Sequence, residues 1–170
     1  MRCISYVWII ILCTFFKISN GQNNHPTKQQ IVNLFKNSIS QQSKNGISVG
    51  SNAWVICNKD SAFFKSDTII LQSNINYFYQ IGDCCDFIEW IFYKQDAYLQ
   101  KKLQVCNEPA SASANADNLR LILTTQPHDL VLTTILNGRM MSKFKVLRVD
   151  NVKLASNISS TAITLKRIHP

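Results

Sequence analysis

Apolar positions fall into three regimes along the chain. From Ile4 to Phe16 they run almost unbroken, interrupted only by Ser5 and Thr14. Between residues 31 and 39 they recur as Ile31, Leu34, Phe35 and Ile39, the i, i+3, i+4, i+8 stripe of one helix face. Thr27 stands where an N-cap belongs, and Gln30 follows three residues on, as in a capping box. From Ile47 onward, short runs of β-branched and aromatic residues alternate with Gly, Asn and Asp. These runs predict strands near 47–57, 61–65, 68–72, 76–81, 85–93, 97–106, 119–125, 129–136, 139–149, 151–155 and 161–168. Residues 107–118 (NEPASASANADN) are small and polar and read as a long surface loop. The predicted fold is mainly β: an antiparallel β-sandwich, or a barrel-like domain, over 47–170. A short amphipathic helix and a polar linker precede it within 22–46, the linker over 40–46.

The first regime reads as a secretory signal over residues 1–21. Arg2 supplies the positive start, the apolar stretch is too short to span a bilayer, and Ser19 and Gly21 are small residues ahead of a cut before Gln22. Arg2 and Lys17 leave with this segment, so the net charge falls from +8 to +6. Cys3 and Cys13 leave too. Cys57, Cys84, Cys85 and Cys106 remain, an even set that in an exported chain predicts two disulfides. The expected location is extracellular, with no membrane span after cleavage. One N-x-S/T sequon, at Asn157, is a candidate glycosylation site.

Two turns fix trial registers. Asn137-Gly138 suits a type I′ turn and would place Ile135 opposite Met140, Val131 opposite Phe144 and Leu132 opposite Lys143. A three-residue turn at Lys94-Gln95-Asp96 would pair Phe87 with Leu103, Ile91 with Leu99 and Glu89 with Lys101. It would also set Cys84 opposite Cys106, at ~4.5 Å between Cα atoms in a non-hydrogen-bonded pair. That register favours Cys84–Cys106 with Cys57–Cys85. Cys57–Cys84 with Cys85–Cys106, and a vicinal Cys84–Cys85 with Cys57–Cys106, stay open at this point. The face with Phe87, Ile91, Leu99 and Leu103 reads as the core side. Trp90, Phe92 and Tyr98, beside Lys102, take the other face, which either a second sheet or the N-terminal helix covers or which forms a binding patch for a ligand or protein partner.

Candidate chemistry is sparse. Composition, with 46% apolar and 16% charged residues, excludes simple disorder. Asp83, Asp86 and Glu89 cluster in sequence as possible paired carboxylates, and His128 lies in a probable loop, but no nucleophile signature accompanies it. No cysteine or histidine spacing suits zinc, and no metal or cofactor is expected. Lys143, Lys145, Arg148, Lys166 and Arg167 form the densest basic group, a candidate patch for acidic glycan. Ala53-Trp54 lacks the glycine-x-tryptophan opening of lipocalins. The leading expectation is a secreted binding protein whose partner is an extracellular protein, an acidic glycan or a small apolar ligand, with no nucleic acid expected. The alternative is a secreted hydrolase using a carboxylate pair or the His128 loop.

Overall fold

The computed structural model describes residues 25–39, 53–73, 84–106, 111–112, 117–155 and 158–169. The expected signal segment, the 40–46 linker, the predicted strand at 76–81, Asp83 and Asn157 lie outside them. Helix α1 spans Lys28–Asn37, and the Thr27 side chain accepts from the Gln30 N–H at 3.2 Å, so Thr27 caps as its type and position predict. Ile31 and Phe35 are the buried residues of its stripe, while Leu34 and Ile39 pack at the margin.

The strands are β1 (Trp54–Cys57), β2 (Thr68–Gln72), β3 (Asp86–Lys94), β4 (Ala97–Gln104), β5 (Ser111–Ala112), β6 (Asp117–Thr125), β7 (Leu130–Leu136), β8 (Arg139–Ala155) and β9 (Ile158–Arg167). Their order is β3-β1-β2-β9-β8-β7-β6-β4, and β4 pairs back to β3, so eight strands close into one antiparallel ring. The antiparallel, mainly β class is as the alternation predicts. Inside the ring sits the main core: Trp54, Leu71, Ile88, Trp90, Phe92, Tyr98, Leu132, Phe144, Ile163 and their neighbours, with Ile31 and Phe35 of α1.

Four local expectations are corrected. The run at 61–65 is not a strand but a 3-10 turn (Lys59–Ser61) followed by one helical turn, α2 (Ala62–Lys65). Asp60 and Ser61 adopt left-handed φ of 54° and 63°, and the Asn58 side chain accepts from the Phe63 N–H at 3.1 Å. That local side-chain bond outcompetes an extended backbone. The predicted loop at 107–118 contains β5, which pairs with β4, and the first residues of β6. Residues 139–155 form one strand with bulges rather than two.

The fourth correction concerns register. Asn137 and Gly138 take positive φ and Ile135 faces Met140, but the ladder then shifts by one residue at Met141. Leu132 therefore faces Phe144 inside the ring, and Val131 faces Lys145. The shift puts Leu132 and Phe144, both fully buried, together in the core, which the unbulged register would have separated.

The ring has two ends. The β3–β4 and β6–β7 turns and the start of β1 lie at one end, and α1 sits there. The 58–67 connection with α2, the Asn137-Gly138 turn and the C-terminus of β9 lie at the other.

Candidate functional site

The inside of the ring is the most unusual chemical environment in the molecule. Phe35 of α1 stacks on Phe92 (centroids 4.4 Å, 16° between planes) and meets Trp54 edge-on at 5.6 Å. Trp90 packs on Tyr98 at 4.6 Å, and Phe63 of α2 meets Trp90 edge-on at 6.5 Å. The Trp90 indole N–H donates to the Gln100 side-chain oxygen at 3.2 Å. Among the described residues, two other donors in this apolar space have no partner at hydrogen-bonding geometry: Trp54 Nε1 and the Tyr98 hydroxyl. Burial pushes the Tyr98 phenol far above its ordinary value, and the nearby Thr134 hydroxyl works in the opposite direction.

Trp90, Phe92 and Tyr98 are fully buried, so they line the core rather than a surface patch; Lys102 alone of that group is exposed. The inward face is thus the reverse of the one expected. Phe87, Leu103 and Ile91 pack on the outer face with Ala53, Val55 and Cys84 in a second, smaller cluster. Both faces of β3 are apolar, and the larger aromatic volume takes the inside, where Phe35 completes the packing.

The cysteines pair as Cys57–Cys84 and Cys85–Cys106, with Cα separations of 5.9 and 5.2 Å. The favoured Cys84–Cys106 pairing is therefore corrected, although the register behind it holds: Phe87 faces Leu103 and Ile91 faces Leu99. The ladder ends too early for it. Val105 still donates to the Cys85 carbonyl, but Cys84 lies beyond the last pair, beside β1, where Cys57 sits opposite Phe87.

Within the basic group Lys145 faces Lys166 across the β8–β9 ladder, and Arg167 stands apart. Lys145 pairs with Asp129 at 2.5 Å and Arg148 with Asp150 at 2.9 Å. Arg167 is packed at the end of the ring, its guanidinium 4.8 Å from the Phe144 centroid and 5.8 Å from that of Phe63. It donates to the carbonyls of Phe63 and Ser66 and to Ser142 Oγ. Burial lowers its pKa from the ordinary guanidinium value, and the Asp67 carboxylate opposes the shift. Lys143 and Lys166 complete the group on the outer face.

Asp86 and Glu89 do not converge. An odd separation along a strand sends them to opposite faces, with Glu89 across from Lys101. His128 is exposed in the β6–β7 turn and shares an open cleft of about 590 Å³ with His25, Lys28 and Gln29 at the head of α1. Among the described residues, no three His, Cys, Asp or Glu side chains converge as metal ligands, and no helix is long and apolar enough to cross a membrane.

The helix stripe packs on the strands as expected, with Phe35 on Phe92 and Trp54; the inward Trp54 donor and the Arg167 plug are not legible in the sequence. Trp54 alternates in phase with Ile56 and could have been placed on one face with it. Nothing along the chain shows which strand lies across the ring from it. The two disulfides, and the lack of a membrane-crossing helix among the described residues, are compatible with an extracellular protein. No family model, curated protein or solved structure matches the chain.

Proposed function

We propose that this is a secreted binding protein whose eight-strand ring is a barrel that holds a small apolar ligand bearing a hydrogen-bond acceptor, with α1 as the stopper of its mouth. The observation that carries the reading is the pair of unpartnered donors, Trp54 Nε1 and Tyr98 Oη, facing an otherwise apolar interior. Leaving a buried polar group unsatisfied costs about 1–3 kcal/mol, so two in one core call for a reason. Ligand sites have this composition: apolar walls with a few placed polar groups. Every ring strand has two hydrogen-bonded neighbours, which supports a barrel over two facing sheets. Ile31 and Phe35 fill the space under the mouth, so ligand entry exchanges these side chains for the ligand. Secretion is read from the expected signal segment and the two disulfides.

The test is titration of the full protein with a fluorescent long-chain fatty acid, followed by quenching of tryptophan emission. Tyr98→Phe and Trp54→Phe each remove an orphaned donor. Tyr98→Phe is expected to leave stability unchanged or higher, whereas Trp54→Phe also removes ring volume from the core and lowers it. Each should weaken the probe about 2- to 10-fold, the value of one neutral hydrogen bond. Failure of the probe to enter, or an affinity indifferent to both substitutions, overturns the proposal.

A further inference from the structure

The end of the ring opposite α1 carries a rim that neither the core nor the mouth explains. Phe64 on α2 is 51% exposed, Met140 and Met141 beyond the Asn137-Gly138 turn are 59% and 55% exposed, and Ile168 after β9 is 36% exposed. Half of the large apolar side chains exposed among the described residues therefore gather at one end. Cations stand between them. Lys65 follows Phe64, Lys102 Nζ lies 5.6 Å from the Phe64 ring centroid, and Arg139 precedes Met140. The Lys143 carbonyl accepts from the Ile168 N–H at 2.8 Å, so these two residues are held side by side. Arg167 joins the halves, bonding the Phe63 carbonyl next to Phe64 and Ser142 Oγ next to Met141. Of the acids at this end, Asp67 is engaged by His169 at 2.9 Å, Asp60 lies in the 58–67 connection with its carbonyl accepting from Lys65 Nζ at 3.2 Å, and Asp86 is exposed at the start of β3. Lys65, Lys102, Arg139, Lys143 and Arg167 outnumber them.

We infer that this rim docks the protein onto an anionic lipid surface. Phe64, Met140, Met141 and Ile168 enter the interfacial layer, and Lys65, Arg139 and Lys143 meet the headgroups. Apolar side chains interleaved with cations match a surface that is negative outside and oily beneath. An acidic glycan would satisfy the cations but offers no apolar phase to four exposed side chains. A folded acidic protein would need recesses for them, because apolar anchors contribute most in well-packed pockets. Here they project from a turn tip and a single helical turn, a shape that a deformable surface accepts. Docked this way, the mouth under α1 faces away from the membrane, so the inference stands apart from ligand uptake.

Flotation of the full protein with phosphatidylcholine vesicles, with and without phosphatidylserine, tests it. Binding is expected only to the anionic vesicles and should weaken as salt rises. Replacing Phe64, Met140 and Met141 by serine together should reduce it at least about tenfold. Lys65→Gln with Lys143→Gln should reduce binding and flatten its salt dependence, while Lys28→Gln with Lys36→Gln at the other end should change neither. If the triple variant unfolds, Met140→Ser with Met141→Ser alone carries the test. Three results would overturn the inference: no flotation, flotation untouched by the apolar substitutions, or capture by heparin or an acidic protein in place of vesicles.

Discussion

Replacing Phe35 by alanine separates the stability of α1 from that of the ring. Phe35 is fully buried, stacked on Phe92 and edge-on to Trp54. Truncating a core phenylalanine removes about 3–5 kcal/mol, part of it the ~0.5–1.5 kcal/mol that each aromatic pair adds beyond area. α1 is anchored mainly by Ile31 and Phe35, whose burial is worth ~1.5–3 kcal/mol each. A ten-residue helix is marginal alone, and the ~3–6 kcal/mol from the two side chains together is about the size of the loss. The substitution is therefore expected to release α1 while the ring stays folded. Hydrogen exchange followed by mass spectrometry reads this directly. Amides over 28–37 should lose protection by about 100-fold or more, the equivalent of ~3 kcal/mol, while ring amides keep theirs. Uptake of an apolar dye should rise as the mouth opens. If α1 and the ring instead exchange together, at a denaturation midpoint lowered by the whole 3–5 kcal/mol, α1 is an integral part of the core and not a stopper.

Three further outcomes are expected. Partial reduction and alkylation should yield intermediates labelled on Cys57 with Cys84 or on Cys85 with Cys106, never on Cys84 with Cys106. Removing either bridge should lower stability by about 3–4 kcal/mol in denaturant titrations, from loops closed over 27 and 21 residues. Arg167→Lys keeps the charge but loses the planar fork that reaches Phe63, Ser66 and Ser142. Thermal unfolding should register a loss of about 1–2 kcal/mol, and a neutral result would deny Arg167 its plugging role. Asp67 is held below the usual carboxylate range by its hydrogen bond to His169 and by the charge of that ring. Because the folded value is the lower one, its contribution is present above the ordinary carboxylate pKa and fades as pH falls through the lowered value. An NMR titration should show Asp67 moving up toward its ordinary value in His169→Ala.

What the sequence reveals follows the range of the interactions. Thr27 and the stripe of α1 are local, and both are legible. The β3–β4 pairing is also local, and its register is right from Asp86 to Phe92; only the turn differs, tightened to Gln95-Asp96 with an irregularity at Tyr93. Ring closure depends on pairs remote in sequence, β1 with β3 and β2 with β9, which no periodicity encodes. The same holds for the inward face of β3. Phe87 and Ile91 on one side and Trp90 and Phe92 on the other look equally apolar until Phe35 arrives from α1. The disulfide error has this origin too. Cys84 was assigned by extending a correct ladder past its last pair, where a nonlocal neighbour, Cys57, captures it.

Closing the ring also removes the feature that makes open sheets self-associate. Each ring strand has a hydrogen-bonded neighbour on both sides, so fewer backbone donors and acceptors are offered to a second molecule than by an open sheet. Among the described residues, shorter neighbours leave three bare stretches: the last residues of β6 pair with β7 alone, β2 meets β1 only at Gln72, and β8 beyond Val146 pairs with β9 alone. Arg148, Asp150 and Lys153 lie along that ribbon, and charges at a bare edge oppose the addition of another strand. Replacing those three charges by valine is expected to turn that bare ribbon into an edge that adds strands from other copies.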